Sequence, residues 1–106
     1  MQPGRIVFIA AALCGVVCAV PARADTIKVE IKNLVFTPAE VTAKVGDTIV
    51  WDNKDILQHT ATATDKAFDV MLPAGKSGSL TVTKAGAFAY FCKFHPNMKG
   101  KVTVTP

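Results

Sequence analysis

Three residues near the end of the sequence combine side chains that could bind a metal ion. Cys92, His95 and Met98 are separated by two residues each. A thiolate and a thioether suit Cu(I), whereas an imidazole suits both oxidation states of copper, so this donor set is biased toward copper. Three donors from one segment leave room for one more. The chain's other histidine, His59, lies upstream at the start of a predicted strand.

Two histidines and a cysteine in a plane, with a weak axial methionine, make up the blue-copper arrangement. A buried thiol, a surface histidine and a core methionine are each ordinary features on their own. Their occurrence together in this chain favours a shared metal site over three unrelated roles. Met71 competes with Met98 as the thioether, but it lies on a different predicted loop.

Two other chemistries use the same residue types. A nucleophilic cysteine needs a base within hydrogen-bond reach and a group that orients the base. His95 is too near Cys92 in sequence for the body of the fold to orient it, and no oxyanion-hole element is visible. A structural zinc site prefers cysteine and histidine in paired spacings and does not recruit methionine.

The N-terminal segment, residues 1–24, predicts a secretory signal peptide. Arg5 precedes an apolar run over residues 6–20, and Ala22-Arg23-Ala24 resembles a cleavage site. A membrane anchor is the alternative, although the run is shorter than the ~20 residues of a typical span. Cys14 and Cys18 raise the possibility of a lipoprotein signal, but neither is preceded by the leucine and two small residues that such processing needs.

Removal of that segment leaves one domain, residues 25–106, with Cys92 as its single cysteine. Exported small domains usually pair their cysteines, so a lone thiol there needs burial or a metal to protect it. The domain has ten scattered lysines, eight acidic residues and no arginine. This pattern argues against nucleic-acid binding. We expect a monomer that does not insert stably into a membrane.

Short segments with alternating or β-rich patterns dominate the domain and predict an all-β fold. We predict about seven or eight strands, arranged as a sandwich or barrel. The predicted strands cover residues 26–32, 41–45, 48–51, 59–64, 79–83, 87–92 and 101–105, with a loop at 75–78. Trp51 is expected in the core.

Alternation along one predicted strand puts Phe88, Tyr90 and Cys92 on its core-facing side. Cys92 then lies where the chain leaves the sheet, and His95 and Met98 follow on a loop. We expect Pro96 to end regular pairing there and Gly100 to let the chain turn back into the last strand.

The stretch YFCKFHPNMKGKVTV resembles the copper loop of the cupredoxins, in particular of their amicyanin-like branch, which has two residues between successive ligands. Upstream, FTPAEVTAKVGDTIVWDNKDILQHT resembles the family's path from a Phe-x-Pro element to the first histidine ligand. The resemblance covers nearly all of residues 25–106. It implies a Greek-key β-sandwich with one copper ion at one end.

Position by position, the resemblance implies His59, Cys92 and His95 as equatorial ligands and Met98 as the axial ligand. The family usually has asparagine after the first histidine, where this chain has Thr60. Because neighbouring hydrogen bonds tune a metal site, Thr60 is expected to affect its potential and rigidity. Lys93 is expected to favour the reduced site if its ammonium lies near the sulfur.

The function implied by the resemblance is one-electron transfer in the periplasm, with no substrate turned over. His95 would be the electron gateway, surrounded by a docking patch of Leu57, Pro73, Phe94, Pro96 and Asn97. The expected partner is a c-type cytochrome or a periplasmic oxidoreductase, which the lysines could steer if it is acidic. The alternatives are a copper-binding protein for delivery or tolerance, and a cysteine-dependent enzyme.

Overall fold

The structure is a computed structural model that describes residues 23–106, so nearly all of the predicted signal segment lies outside the described residues. Nine β-strands and no helix are found in this range. The strands are β1 (Thr26–Lys32), β2 (Val35–Thr37), β3 (Glu40–Lys44), β4 (Thr48–Asn53), β5 (His59–Ala63), β6 (Asp69–Leu72), β7 (Ser77–Thr81), β8 (Gly86–Cys92) and β9 (His95–Thr105).

The strands form two sheets, which confirms the predicted all-β sandwich. The order is β2-β1-β4-β7 in the four-stranded sheet and β3-β9-β8-β5-β6 in the five-stranded sheet. β1 pairs with β4, and β3 with β9, in parallel, whereas the other pairs are antiparallel. No helix of the described residues is long and apolar enough to cross a membrane.

The core lies between the sheets and follows the alternation in the sequence. In β4, Ile49 and Trp51 are fully buried while their neighbours are partly exposed, as expected for a strand with one face inward. Trp51 is therefore a core residue, as predicted. In β8, Tyr90 and Cys92 are buried and Phe88 packs against the core, so the predicted inward face is confirmed.

The β8–β9 hairpin carries the predicted donors and differs from the expected loop. β9 already begins at His95, which pairs with Cys92 across a two-residue connection. The next pair is Phe91 with Lys99, so the register shifts and residues 96–98 form a bulge. The predicted loop was wrong, since strand β9 continues through this segment. The predicted interruption of regular pairing is present, as the bulge.

Gly100 serves a different purpose from the predicted turn. It lies inside β9, opposite Tyr90. A Cβ atom at this position would overlap the ring of Tyr90, and that ring is held in the core by Trp51 and Phe36. Glycine is therefore needed here for space rather than for chain reversal.

Other element boundaries also differ from the prediction. β2 and β6 have three and four residues and were not predicted as strands, which brings the count to nine. The predicted loop at residues 75–78 ends earlier, because Ser77 and Gly78 pair with β4 in β7. Here the partner strand extends the pairing beyond what the local turn residues indicate.

Candidate metal centre

The structure brings the two histidines and the cysteine together at one end of the sandwich. His59 opens β5, Cys92 ends β8 and His95 opens β9. The sulfur of Cys92 lies 3.6 Å from Nδ1 of His59 and 3.7 Å from Nδ1 of His95. Their potential ligand atoms all lie within 4.8 Å of one another. The residues that the sequence predicts as equatorial donors therefore form one cluster.

The spacing of these atoms fits a shared metal ion. An ion about 2.3 Å from sulfur and about 2.0 Å from nitrogen, with bond angles of about 110–120°, separates those two atoms by about 3.5–3.7 Å. Both observed sulfur–nitrogen distances fall at this value. The cluster thus has the size that a metal bound by one thiolate and two imidazoles requires.

The three donors differ in their access to solvent. His59 and Cys92 are completely buried, whereas His95 is partly exposed. The two imidazole rings meet edge to face, with centroids 5.0 Å apart. A buried sulfur and a partly exposed histidine give the cluster one side that faces the surface.

The two candidate thioethers have different environments. Met98 is 4% exposed and lies in the β9 bulge, three residues after His95. Met71 is 48% exposed on β6, where Nε2 of Gln58 donates a hydrogen bond to its sulfur. Burial beside the donor hairpin favours Met98 as the fourth ligand.

A carboxylate fixes the orientation of His59, and sequence reasoning missed it. Nε2 of His59 lies 2.8 Å from Oδ2 of Asp55. Asp55 also accepts hydrogen bonds from the backbone N–H groups of Asn33 and Leu34, at 2.7 and 3.0 Å. A proton on Nε2, shared with the carboxylate, leaves the Nδ1 lone pair available to a metal ion in the cluster, as metal-binding histidines require.

The charge state of Asp55 suits this role. Burial raises the pKa of Asp55, but hydrogen bonds from Leu34, His59 and Asn33 more than compensate and leave it below the ordinary value. The carboxylate is therefore ionised at neutral pH and accepts a hydrogen bond from the Nε2–H group of His59. Its position four residues before His59 was the available signal, because carboxylates commonly support metal-binding histidines.

Thr60 and Lys93, the two residues predicted to tune the site, contact each other. The backbone N–H of Lys93 donates a 2.9 Å hydrogen bond to Oγ1 of Thr60. The ammonium of Lys93 points to β6, where Nζ lies 3.0 Å from Oδ2 of Asp69. The threonine therefore links the first-histidine strand to the donor hairpin, and Asp69 balances the lysine charge.

A buried asparagine, also missed from the sequence, connects the loops around the cluster. Nδ2 of Asn53 lies 2.9, 3.0 and 3.3 Å from the carbonyl oxygens of Leu57, Leu72 and Pro73. Its Oδ1 accepts the backbone N–H of Asp55 at 2.9 Å. One fully buried side chain thus joins the β4–β5 loop to the β6–β7 loop.

All five residues of the predicted docking patch are exposed: Leu57, Pro73, Phe94, Pro96 and Asn97. Phe94, Pro96 and Asn97 line a surface depression of about 380 Å³ together with His95, Met98 and Leu34. Leu34 is 42% exposed and was not predicted as part of the patch. The partly exposed histidine therefore lies in an apolar depression at the surface.

Comparison with known proteins agrees with this geometry. The family profile described as a cupredoxin-like domain matches residues 5–104. The chain is 32% identical to amicyanin from Paracoccus versutus over 94 residues, covering 83% of this chain and 71% of that relative. It is 31% identical to a chloroplastic plastocyanin from Tetradesmus obliquus over 109 residues, covering 88% of this chain and 75% of that protein.

Solved structures lead to the same family. The crystal structure of the Paracoccus versutus amicyanin superposes with a TM-score of 0.66 at 33% identity, covering 82% of this chain and 86% of the other. The donor set, its spacing and the profile match across residues 5–104 agree. The chain therefore belongs to the cupredoxin family, and its cofactor is one type 1 copper ion.

Proposed function

We propose that this protein is a periplasmic electron carrier whose copper is held by His59, Cys92, His95 and Met98. The observation that carries the proposal is the fully buried Cys92 sulfur, flanked by an Nδ1 atom of each histidine at 3.6 and 3.7 Å. A thiolate, two imidazoles and a thioether form the donor set of blue copper sites. When bound, copper supplies a one-electron Cu(II)/Cu(I) couple.

The protein's part in transfer is to hold the donors still. His59 is held at Nε2 by Asp55, and Cys92 and His95 face each other across the hairpin. Because second-layer hydrogen bonds restrict ligand orientation, the donor atoms need little movement when the charge of the site changes. Burial of Cys92 also keeps water and oxidants from the thiolate.

His95 is the proposed point at which electrons enter and leave. It is partly exposed and lies in the depression lined by Phe94, Pro96 and Leu34. An apolar surface suits brief encounters, in which redox partners bury little area. The partner is a redox protein, and we propose a c-type cytochrome or a periplasmic oxidoreductase.

The burial of Cys92 also separates this proposal from a cysteine-dependent enzyme. A nucleophilic thiolate must reach a substrate atom, and the Cys92 side chain has no exposed surface. Both histidines direct Nδ1 to the same sulfur, whereas a nucleophile needs one base and a group that orients it. Electron transfer needs no such access.

Export is part of the proposal. Residues 1–24 have the pattern of a signal peptide, and residues 25–106 hold the complete donor set. We propose that the domain functions as a monomer after removal of the signal. N-terminal sequencing of protein from the periplasmic fraction would test this, with a first residue near Asp25 as the expected result.

The copper assignment is tested by adding Cu(II) to the purified domain, residues 25–106. We expect an intense thiolate-to-copper absorption band and narrow copper hyperfine splitting in electron paramagnetic resonance. Cys92→Ser should abolish the band, because it removes the thiolate. A weak spectrum typical of ordinary Cu(II) in the unmodified domain would reject a type 1 site.

Voltammetry then separates an electron carrier from a protein that only delivers or stores copper. A carrier is expected to give a reversible couple and fast electron exchange between oxidised and reduced copies. Loss of the metal on reduction, or an irreversible response, would instead favour copper delivery. These outcomes do not depend on the identity of the natural partner.

A further inference from the structure

Lys93 is held at both ends by the neighbouring β5–β6 hairpin. Its backbone N–H donates to Oγ1 of Thr60 at 2.9 Å, and its ammonium donates to Oδ2 of Asp69 at 3.0 Å. The hydroxyl of Thr62 lies between these two anchors, 2.9 Å from Oγ1 of Thr60 and 2.8 Å from Oδ1 of Asp69. The contacts therefore form a closed ring that begins and ends at Lys93.

The sheet register explains why these side chains meet. Thr60 and Thr62 are two residues apart in β5, so they share one face. Thr62 lies directly opposite Asp69 in β6, and such cross-strand pairs are close enough to interact. The ring adjoins the donors in sequence, since Thr60 follows His59 and Lys93 follows Cys92.

The residues of the ring differ widely in their exposure to solvent. Thr60 is completely buried, whereas the side chains of Lys93 and Asp69 are 43% and 53% exposed. An exposed ion pair contributes little to folding stability. The anchor at Thr60 differs, because loss of the acceptor would leave a backbone N–H without its partner beside a buried strand. The effect of Asp69 is therefore expected at the copper site rather than in global stability.

We propose that Asp69 is a positioning residue of the copper site. Together with Thr60 and Thr62 it holds Lys93, and through Lys93 the two-residue connection between Cys92 and His95. This inference rests on the proposed function. It also assigns the ring a role in charge, since the carboxylate of Asp69 balances the ammonium of Lys93, the residue that follows the cysteine ligand in sequence.

The positioning role and the charge role of Asp69 each predict a separate measurable effect. Loss of the Asp69 charge releases the Lys93 side chain, so the connection opens more often and the Lys93 amide exchanges its proton faster with solvent. The same change leaves the lysine charge uncompensated. An additional positive charge near the metal favours the less positive Cu(I) state, so the reduction potential rises.

The test compares Asp69→Asn with Asp52→Asn in the domain, residues 25–106. Asp52 is a matched control on the other sheet, where it pairs with Lys54 at 3.3 Å and Lys28 at 4.0 Å, and its substitution changes the net charge equally. Exchange of the Lys93 amide is measured by NMR in the copper-free protein, and the potential by voltammetry after copper loading.

We expect Asp69→Asn to accelerate Lys93 exchange severalfold and to raise the potential, while Asp52→Asn changes neither to a similar extent. Thr60→Val should accelerate exchange by at least about tenfold, because it removes the acceptor, and Thr60→Ser should restore slow exchange. Equal exchange rates in the two aspartate variants, or equal shifts in potential, would overturn the proposal.

Failure of this inference is distinguishable from failure of the proposed function. The exchange measurement uses copper-free protein, so it reports on the ring whether or not the metal forms a type 1 site. A normal type 1 spectrum with an unchanged Lys93 amide in Asp69→Asn rejects the ring alone. An ordinary Cu(II) spectrum in the unmodified domain rejects the proposed function and leaves the exchange result valid.

Discussion

At the scale of single residues, Asp55 connects the metal cluster to the surface around it. Oδ2 contacts Nε2 of His59 and the backbone N–H of Leu34, and Oδ1 accepts the N–H of Asn33. Leu34 lines the same depression as His95. The Asp55 side chain therefore holds both the ring of His59, a proposed ligand, and the backbone of Leu34, a proposed docking residue.

Asp55→Asn should weaken copper binding and raise the reduction potential. An amide cannot supply two acceptor oxygens, so at least one of the three hydrogen bonds is lost. Removing a partner of this kind typically lowers metal affinity by about 10–100-fold. Loss of a nearby negative charge also disfavours Cu(II), which raises the potential.

Copper competition titrations and voltammetry would check this prediction, and unfolding of the copper-free protein would report any cost to the fold. We expect the latter to be about 1–3 kcal/mol, the range for leaving a buried polar group unsatisfied. Unchanged copper affinity in Asp55→Asn, with the fold intact, would show that His59 does not depend on the carboxylate.

At the scale of elements, the β1–β2 hairpin adopts a strained turn at the proposed docking surface. Asn33 and Leu34 connect the strands with φ angles of 55° and 63°. Two-residue turns of this kind favour asparagine followed by glycine, because both central residues have positive φ. A leucine in this region costs about 1–2 kcal/mol, and the Asp55 carboxylate holds the turn in place.

Leu34→Gly should therefore preserve or slightly increase stability while slowing electron exchange. Glycine relieves the strain, by an amount that its greater freedom in the unfolded chain partly cancels, so we expect a gain of no more than about 1 kcal/mol. The variant also removes an apolar side chain beside His95, which should reduce productive encounters severalfold.

Thermal unfolding and the electron self-exchange rate, measured by NMR line broadening in mixtures of reduced and oxidised protein, provide the two readouts. Val45→Ser is a suitable control, since Val45 is 44% exposed and lies at the opposite end of the sandwich, where its N–H bonds to Thr105. A self-exchange rate equal to that of the control would show that Leu34 does not contribute to the docking surface.

The elements also show what could be predicted from sequence. The period-two pattern identified β1, because that strand has one buried face, and β-rich composition identified β4. Alternation along β8 correctly gave its inward face. β2 and β6 were missed because they are short and exist through pairing with β1 and β5. β9 also includes Pro96 and Asn97, residues that disfavour strands on their own, because pairing with β8 resumes on both sides of this bulge.

The candidate site was likewise predictable from the sequence only in part. Donor types and spacing are properties of the chain, so His59, Cys92 and His95 could be chosen from the sequence, and the structure clusters them. Asp69 could not be chosen, because it acts through a contact between β6 and the β8–β9 hairpin, whereas Asp55, four residues before His59, offered a signal that sequence reasoning missed. Nothing in the sequence near Lys93 indicates that its ammonium pairs with a residue of β6.

At the scale of the whole molecule, Tyr90 joins the two sheets near the metal cluster. Its hydroxyl accepts a 3.2 Å hydrogen bond from Nε1 of Trp51, and its ring meets Phe36 edge to face at 4.8 Å. Tyr90 belongs to the five-stranded sheet, whereas Trp51 and Phe36 belong to the other. It lies two residues before Cys92 in the same strand and fills the space left by Gly100.

This burial predicts that alkaline pH destabilises the fold through Tyr90. Desolvation raises the pKa of Tyr90 to about 12, although the Trp51 hydrogen bond partly opposes the shift. The unfolded chain ionises near pH 10, so the stabilising contribution is fully present below about pH 10 and is lost as the pH rises to about 12. The loss amounts to about 3 kcal/mol, since each pKa unit corresponds to about 1.4 kcal/mol.

Denaturant unfolding of copper-free protein at a series of alkaline pH values would measure this loss, and tyrosinate absorbance would follow the ionisation directly. Because Tyr90 is the chain's single tyrosine, that absorbance reports on this residue alone. Tyr90→Phe cannot ionise at this position and should lack this part of the pH dependence. A folded protein whose tyrosine ionises near pH 10 would contradict the prediction, because it would mean that water reaches the joint between the sheets.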